Sequence, residues 1–349
     1  MKSKVKFLLV IFLALGLLNG CNNRSGEINI NSKGKLDDAT QVVYTEKNKD
    51  AKPKTVNENE VYYTVGMHII IPYWRDHKKG LEAAAAELGV KAVFTGENGN
   101  DAAKQIGIFE QIIAQKPSGV LVSPIDPEGM IGPINNAINL NIPVICIDAD
   151  SPKSKRLTYL GTGNYQAGYT AADILAKSIG SKGYVGILTI PGIYSLDERQ
   201  RGFEQCIKEK YKNIEIVSVQ NDEADPSKAA NVAAQMFHAA PQIAGIFGAD
   251  AASGVGAVVA LKEINMLGKV KIVAFDKDPP VLDLVEEGAI EATLVQRTFT
   301  MSYYGLKYLY DVYHNNIQMA SDMSGLNPLP QVVDTGIIAV DKENVHKFK

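Results

Sequence analysis

Four polar side chains close apolar runs in this chain, and their positions carry the functional argument. Asp148 ends Val144-Ile145-Cys146-Ile147, and Asp276 ends the run 270–275. Asp250 follows Ile246-Phe247-Gly248-Ala249, and Gln296 follows Thr293-Leu294-Val295. The carboxyl end of a buried parallel strand is where open α/β sheets place their ligand crevice. Brought to one crevice with Ser123, Arg199 and the rings of Tyr73 and Trp74, these groups suit a polyhydroxylated ligand. Ionised carboxylates accept from hydroxyls, a guanidinium donates as a fork, and rings cover the apolar face of a sugar. Such groups are costly to desolvate unless each is matched, so the site would reject a ligand that lacks a hydroxyl. Any one strand-end Asp can instead serve as a helix cap or turn former.

Other chemistries find little support. Gly161-Thr162-Gly163-Asn164-Tyr165-Gln166 starts like a dinucleotide-binding loop, but Gln166 stands where the third Gly belongs. No phosphate-binding Gly-Lys-Ser/Thr loop occurs. Ser253 lacks the first Gly of a nucleophile elbow. The five His show no metal-ligand spacing, so no metal or other cofactor is expected. Asp148-Ala149-Asp150 could hold a metal as a phosphatase D-x-D does, but Pro152 replaces the Thr that the phosphatase pattern requires. The expectation is a protein that binds and does not catalyse.

The elements that must position these residues read as an alternation of strand and helix from Val61 onward. Strands are expected at 62–71, 90–95, 119–123, 143–147 and 157–160, with helices at 76–88, 101–114 and 129–139 between them. The alternation starts again with Asn164 capping a helix to 179. Strands then fall at 184–189, 215–220, 245–247, 270–275 and 292–295, separated by helices at 195–211, 225–239, 251–264 and 281–287. Asp225 is the expected cap of the 225–239 helix, with Pro226 in its first turn. A long helix, 299–315, and a last strand, 332–339, complete the chain. Strand-to-strand connections through helices make parallel pairing with right-handed crossovers the default. The fold class is therefore α/β, with two doubly wound parallel-sheet lobes.

The 349 residues are 46% hydrophobic, enough for one large or two medium domains. The net charge is −3, and residues 1–20 hold three lysines and no acid, which leaves −6 beyond them. No basic block invites nucleic acid. Residues 2–6 are basic and 7–18 apolar, the pattern of a secretory signal and short for a membrane span. Leu18-Asn19-Gly20-Cys21 resembles a bacterial lipobox, which makes 1–20 a lipoprotein signal peptide and Cys21 the lipidation site. Residues 21–60 are polar and aperiodic and read as a flexible tether. Cys146 and Cys206 read as small core fillers.

Nearly the whole chain after Val61 resembles the type I periplasmic-type sugar-binding proteins of ABC importers, the ribose, galactose and xylose group. The resemblance rests on Pro72-Tyr73-Trp74 with Gly80, on Ser123-Pro124-Ile125-Asp126, and on Ile142-Pro143-Val144-Ile145-Cys146-Ile147-Asp148. It continues in Gly161-Thr162-Gly163-Asn164 with Gly168, in Arg199-Gln200-Arg201-Gly202-Phe203, in Phe275-Asp276 and in Gln296. It implies that Tyr73 and Trp74 sandwich a sugar and that Asp148, Arg199, Asp250, Asp276 and Gln296 bond its hydroxyls. Met67, Ser123, Asp150 and Asp197 are the secondary candidates. Ile71, Ser123 and Asp250 stand where ribose binders have Asn, and Ala149 and Asp197 where they have Arg, so ribose itself would be read differently. The variant around Asp148 resembles a subgroup of mixed specificity that includes xylose and autoinducer-2 binders.

The resemblance also implies three hinge crossings, near Thr162, 296–298 and Asp334. The first lobe would comprise 61–162 and 298–334, and the second 163–297 and 335–349. The implied function is an extracytoplasmic, lipid-anchored receptor that captures a pentose or hexose and delivers it to the membrane subunits of an ABC permease. The alternatives are a sugar sensor docking on the extracellular domain of a histidine kinase, as in xylose sensing, or binding of a furanosyl signal of the autoinducer-2 kind.

Overall fold

Short apolar runs rich in β-branched residues form the strands, and Ala- and Gly-rich amphipathic stretches form the helices that cover them. The computed structural model describes residues 56–57, 59–317 and 328–349. The expected signal peptide, Cys21 and nearly all of the expected tether lie outside those residues. The chain begins β1 (Val61–Gly66), α1 (Trp74–Leu88), β2 (Lys91–Gly96), α2 (Ala102–Ala114), β3 (Gly119–Val122), α3 (Ile131–Asn139), β4 (Val144–Ile147), β5 (Tyr159–Gly161). It continues α4 (Asn164–Ser178), β6 (Gly183–Thr189), α5 (Tyr194–Lys210), β7 (Ile214–Asn221), α6 (Pro226–Ala239), β8 (Ile243–Gly248), α7 (Ala251–Glu263). It ends β9 (Lys271–Phe275), α8 (Pro279–Glu287), β10 (Ala292–Gln296), α9 (Thr298–Tyr313), β11 (Val332–Asp334), β12 (Ile337–Asp341).

These strands make two six-stranded sheets, ordered β2-β1-β3-β4-β5-β11 and β7-β6-β8-β9-β10-β12. The same 2-1-3-4-5 order in each places a topological switch beside the first strand of each lobe, β1 and β6. Pairing is parallel throughout except between β10 and β12, which run antiparallel. Each sheet buries an apolar core on both faces, around Leu121, Ile145 and Phe109 in the first and Ile272, Val258 and Phe203 in the second. Cys146 and Cys206 are free and fully buried in these cores, and burial pushes the Cys146 thiol up to about 12.

The chain passes between the sheets three times, after β5, after β10 and between β11 and β12. Close helix packing fixes what lies near these passages. A Cβ on Gly202 would sit 1.9 Å from the carbonyl oxygen of Tyr165, and one on Gly168 1.8 Å from that of Arg199. The two glycines let α4 and α5 touch backbone to backbone, which sets Arg199 at the mouth of the second lobe. Gly80 does the same for α1 against α9, with a Cβ placed 2.2 Å from the oxygen of Phe299.

Several expected elements differ. The first strand stops at Gly66, not at 71, because the backbone turns at His68 (φ 45°) and Ile71 N–H bonds back to the His68 oxygen. Helix α1 consequently starts at Trp74, two residues earlier than expected. Asn164 is the first helical residue, not the cap; Gly163 holds the cap position, and the Asn164 side chain is engaged elsewhere. The last strand is two strands, broken at Thr335-Gly336 (φ 75° at Gly336), each completing a different sheet. The β4–β5 connection contains no helix, as the strands expected at 143–147 and 157–160 with none between them imply. Asp225 does cap α6, accepting from Lys228 N–H at 2.8 Å.

Candidate functional site

Asp148 and Asp276 occupy equivalent places in the two lobes and share an uncommon backbone. Both lie one residue past a strand at positive φ, 65° and 66°. Both donate their N–H to the next strand, to Leu160 O at 3.0 Å and Leu294 O at 2.9 Å. Both have their carbonyl held by a hydroxyl from that strand, Tyr159 Oη at 2.7 Å and Thr293 Oγ1 at 2.6 Å. The left-handed conformation costs an L-residue on the order of 1 kcal/mol, least for Asp and Asn. Here the neighbouring strand holds it, and each carboxylate leaves its strand for the space between the lobes.

In the first lobe Tyr73 Oη donates to Asp148 Oδ1, and Ser123 Oγ donates to Asp148 Oδ2 at 3.0 Å. In the second lobe Gln296 Nε2 donates to Asp276 Oδ1 at 2.8 Å. The same amide's oxygen accepts from Thr162 Oγ1 at 2.7 Å, tying the site to two of the three inter-sheet passages. Arg199 is buried; its Nε donates to Asn164 Oδ1 and its Nη1 to Ala249 O, both at 2.8 Å. Its guanidinium lies 3.6 Å from the centre of the Phe275 ring, a cation–π contact that orients the fork.

Electrostatics unite the two halves. Burial raises the Asp148 carboxyl above the usual range, against the bonds from Tyr73 and Ser123 and the charge of Arg199. Burial likewise pushes Asp276 up to about 6, with Arg199 and the Gln296 bond pulling it back and Asp148 adding repulsion. Arg199 feels Asp276, Tyr73, Asp148 and Asp250 together. One cation therefore serves carboxylates from both lobes, and unmatched acceptor capacity is left for a donor-rich ligand.

The remaining expected residues are placed as follows. Trp74 is 3% exposed, its ring packed 4.5 Å from His77 and 5.7 Å from Phe94, so it backs Tyr73 from within the lobe. Asp250 caps α7, its Oδ1 accepting from Ala252 N–H at 2.8 Å and Ser253 N–H at 3.0 Å. Asp150 is held bidentate by Arg156, at 2.5 and 2.6 Å. Asp197 is exposed and accepts from Gly192 N–H at 3.1 Å. Met67 is half-buried just past β1. No group of residues able to hold a metal occurs among the described residues. A cavity of about 540 Å³ opens between α1 and α8, walled by Tyr73, Asp276 and Gln296 with Arg75, Lys277 and Phe348. That volume lies within the range of small-molecule sites, about 300–1,000 Å³.

Sequence reading missed three residues here: Asn164 as the partner of Arg199, and the pair Asp76 and Lys277, which bridges α1 to the residue after Asp276. Asn164 carried a signal, a polar residue after a strand, but was read as a cap. The Asp76–Lys277 bond joins the two lobes at the cleft. Lys277 is a third exposed, so screening limits the pair to about 0–1 kcal/mol. Lys277→Gln is expected to weaken ligand binding by at most about fivefold and to flatten its salt dependence between low and high ionic strength. An unchanged salt dependence in a titration would show that the pair does not contribute to closure.

Residues 63–316 match the model of the periplasmic binding protein domain. The chain belongs to this family. It is 27% identical over 252 residues to the ribose import binding protein of Bacillus subtilis (strain 168), covering 71% of this chain and 80% of that one. The structure of a sugar ABC transporter sugar-binding protein from Bacillus halodurans superposes with a TM-score of 0.80 at 36% identity, over 83% of this chain and all of that one. AraP, an arabinose binding protein from Geobacillus stearothermophilus, gives 0.78 at 37% identity, over 83% and 99%. The fold expected from the alternation, two α/β lobes with parallel sheets, is the periplasmic binding protein fold.

Proposed function

We propose that this chain is an extracytoplasmic solute-binding lipoprotein, anchored through Cys21, that captures a pentose or hexose between its lobes and presents it to an ABC permease. The observation that carries the reading is the convergence of Asp148 and Tyr73 from one lobe with Asp276, Gln296 and Arg199 from the other. Two carboxylates with spare acceptor capacity, one buried cation and an aromatic face match a ring of hydroxyls. The similarity to ribose- and arabinose-binding proteins supports a sugar as the ligand. Residues 61–162 and 298–334 act as one lobe, 163–297 and 335–349 as the other. A ligand that touches both favours the closed arrangement by its differential affinity for it.

The test is a thermal-shift screen against ribose, arabinose, xylose, allose, galactose and autoinducer-2. Ligand at a hundred times its dissociation constant stabilises by about 2.7 kcal/mol. A hit among the sugars supports the reading, and a well-folded protein with no hit across the panel overturns it.

Asp276 gives the reading a pH signature. Sugar hydroxyls donate to the ionised carboxylate, so a group near 6 must release its proton before binding. Affinity then falls up to tenfold per pH unit below about pH 6. A titration from neutral to acid pH checks this, and an acid limb that persists in Asp276→Asn assigns it to another group.

A further inference from the structure

We propose that Asp222 is a positioning residue of the binding site: it shares one proton with Asp250 beside Ser253, and that proton fixes the Asp250 carboxylate whose charge acts on Arg199. The inference rests on the reading of the cleft as a sugar site. Asp222 follows β7 directly and is fully buried. Its N–H donates to Thr189 O at 3.2 Å, its Oδ1 accepts from Ala224 N–H at 3.1 Å, and its Oδ2 accepts from Ser253 Oγ at 2.5 Å. Ser253 lies in the first turn of α7, and its N–H donates to Asp250 Oδ1 at 3.0 Å. One serine therefore touches both carboxyl groups.

Asp250 Oδ2 is buried and has no hydrogen-bond partner among the described residues. A buried carboxylate oxygen without a donor is costly, and two anions on one serine repel. Ser253 brings the two carboxyl groups side by side, one on its hydroxyl and one on its N–H. A single proton on Asp222, donated to Asp250 Oδ2, removes both penalties at once.

Among the described residues no neighbouring cation offers another remedy. On the Asp222 loop, Glu223 pairs with Lys228 and Asp225 caps α6. From α5, Arg199 acts on Asp250 but donates its hydrogen bonds to Asn164 and Ala249. Thr189 on β6 offers only a hydroxyl, itself buried and unpartnered. Among the described residues no lysine, arginine or histidine bonds to either carboxyl group. Burial and then the Asp250 charge push the Asp222 carboxyl up to about 7, in keeping with the shared proton. Neither carboxylate then needs a cation, and Asp250 is held in one orientation.

The experiment compares the full chain with Asp222→Asn, which is neutral at every pH and keeps the shape. First, melting is followed against pH without sugar. The folded protein keeps the proton to about pH 7, whereas unfolded Asp releases it near about 3.9. The folded state binds more protons across that window, so wild-type stability falls as pH rises through it. The variant is expected to lose that part of the fall and to melt higher above neutral pH. Second, D-arabinose affinity is followed against pH. Wild type is expected to weaken up to tenfold per unit above about pH 7, with one proton taken up on binding. The variant is expected to keep its affinity there.

Superimposable melting profiles for the two proteins would overturn the proposal. If the variant does not fold, wild-type calorimetry at about pH 8 decides: heats of D-arabinose binding that do not vary with buffer ionisation enthalpy mean no proton is taken up, and overturn it. Absence of sugar binding at every pH counts against the sugar reading alone, and the sugar-free melting profiles still decide whether the proton is there.

Discussion

Asp276→Asn is expected to leave the protein folded and to weaken arabinose binding by about 2–5 kcal/mol, roughly thirtyfold or more. The substitution isolates the charge. Asn accepts the left-handed backbone that Asp276 adopts at φ 66°, whereas Ala would add strain there. The amide is nearly the size of the carboxylate, so the packing around Thr293 and Gln296 survives. What is lost is an acceptor that faces Arg199 and that stands ready for two hydroxyl donors. Arg199, buried and oriented by Phe275, then lacks its principal counter-charge in the second lobe. Calorimetric titration reads the loss directly. A variant that binds within threefold of wild type would remove Asp276 from the site.

Trp74→Ala is expected to act mainly on stability, at a cost of about 3–5 kcal/mol. The indole is buried against His77 and Phe94, and removing it leaves a cavity that the ends of α1 and β2 cannot collapse to fill. Melting temperature falls in the absence of any sugar. Trp74→Phe restores most of the packing and should bind within a few-fold of wild type, because Tyr73 supplies the ring nearest Asp148. A Trp74→Phe protein of normal stability that no longer binds would return the indole to direct contact with the ligand.

The contrast between these two residues shows what was legible in the sequence. Asp276 was visible because a carboxylate after a buried run has few places to go except the crevice at the strand ends. The two-lobe alternation was visible for a similar reason: each helix and strand carries its own period. Trp74, expected to face the ligand, is buried, and side-chain identity does not say which face of a helix's first turn points inward. That depends on His77 one turn later and on Phe94 from another strand. Asp150 was a secondary candidate two residues from Asp148, but Arg156 returns to claim it, and a return of six residues through a loop has no period to read. Asp222 also follows a strand, but that strand, Ile214–Asn221, is more polar than the others and marks its end less sharply.

The split last strand bears on how the molecule is assembled. Residues 332–334 finish the first sheet and residues 337–341 the second. His77 on α1 meets Ser302 on α9 across 225 positions of sequence. Domains of many proteins fold one after another as synthesis proceeds, amino-terminal first. Here neither sheet can gain its second edge strand until almost the entire polypeptide is available, and α1 lacks its main helical partner until α9 arrives. A nascent or partly translocated chain should therefore remain protease-sensitive and loosely collapsed nearly to its end. Maturation then finishes in a late, concerted step, in which the carboxyl-terminal fifty residues act as the closure that both lobes wait for.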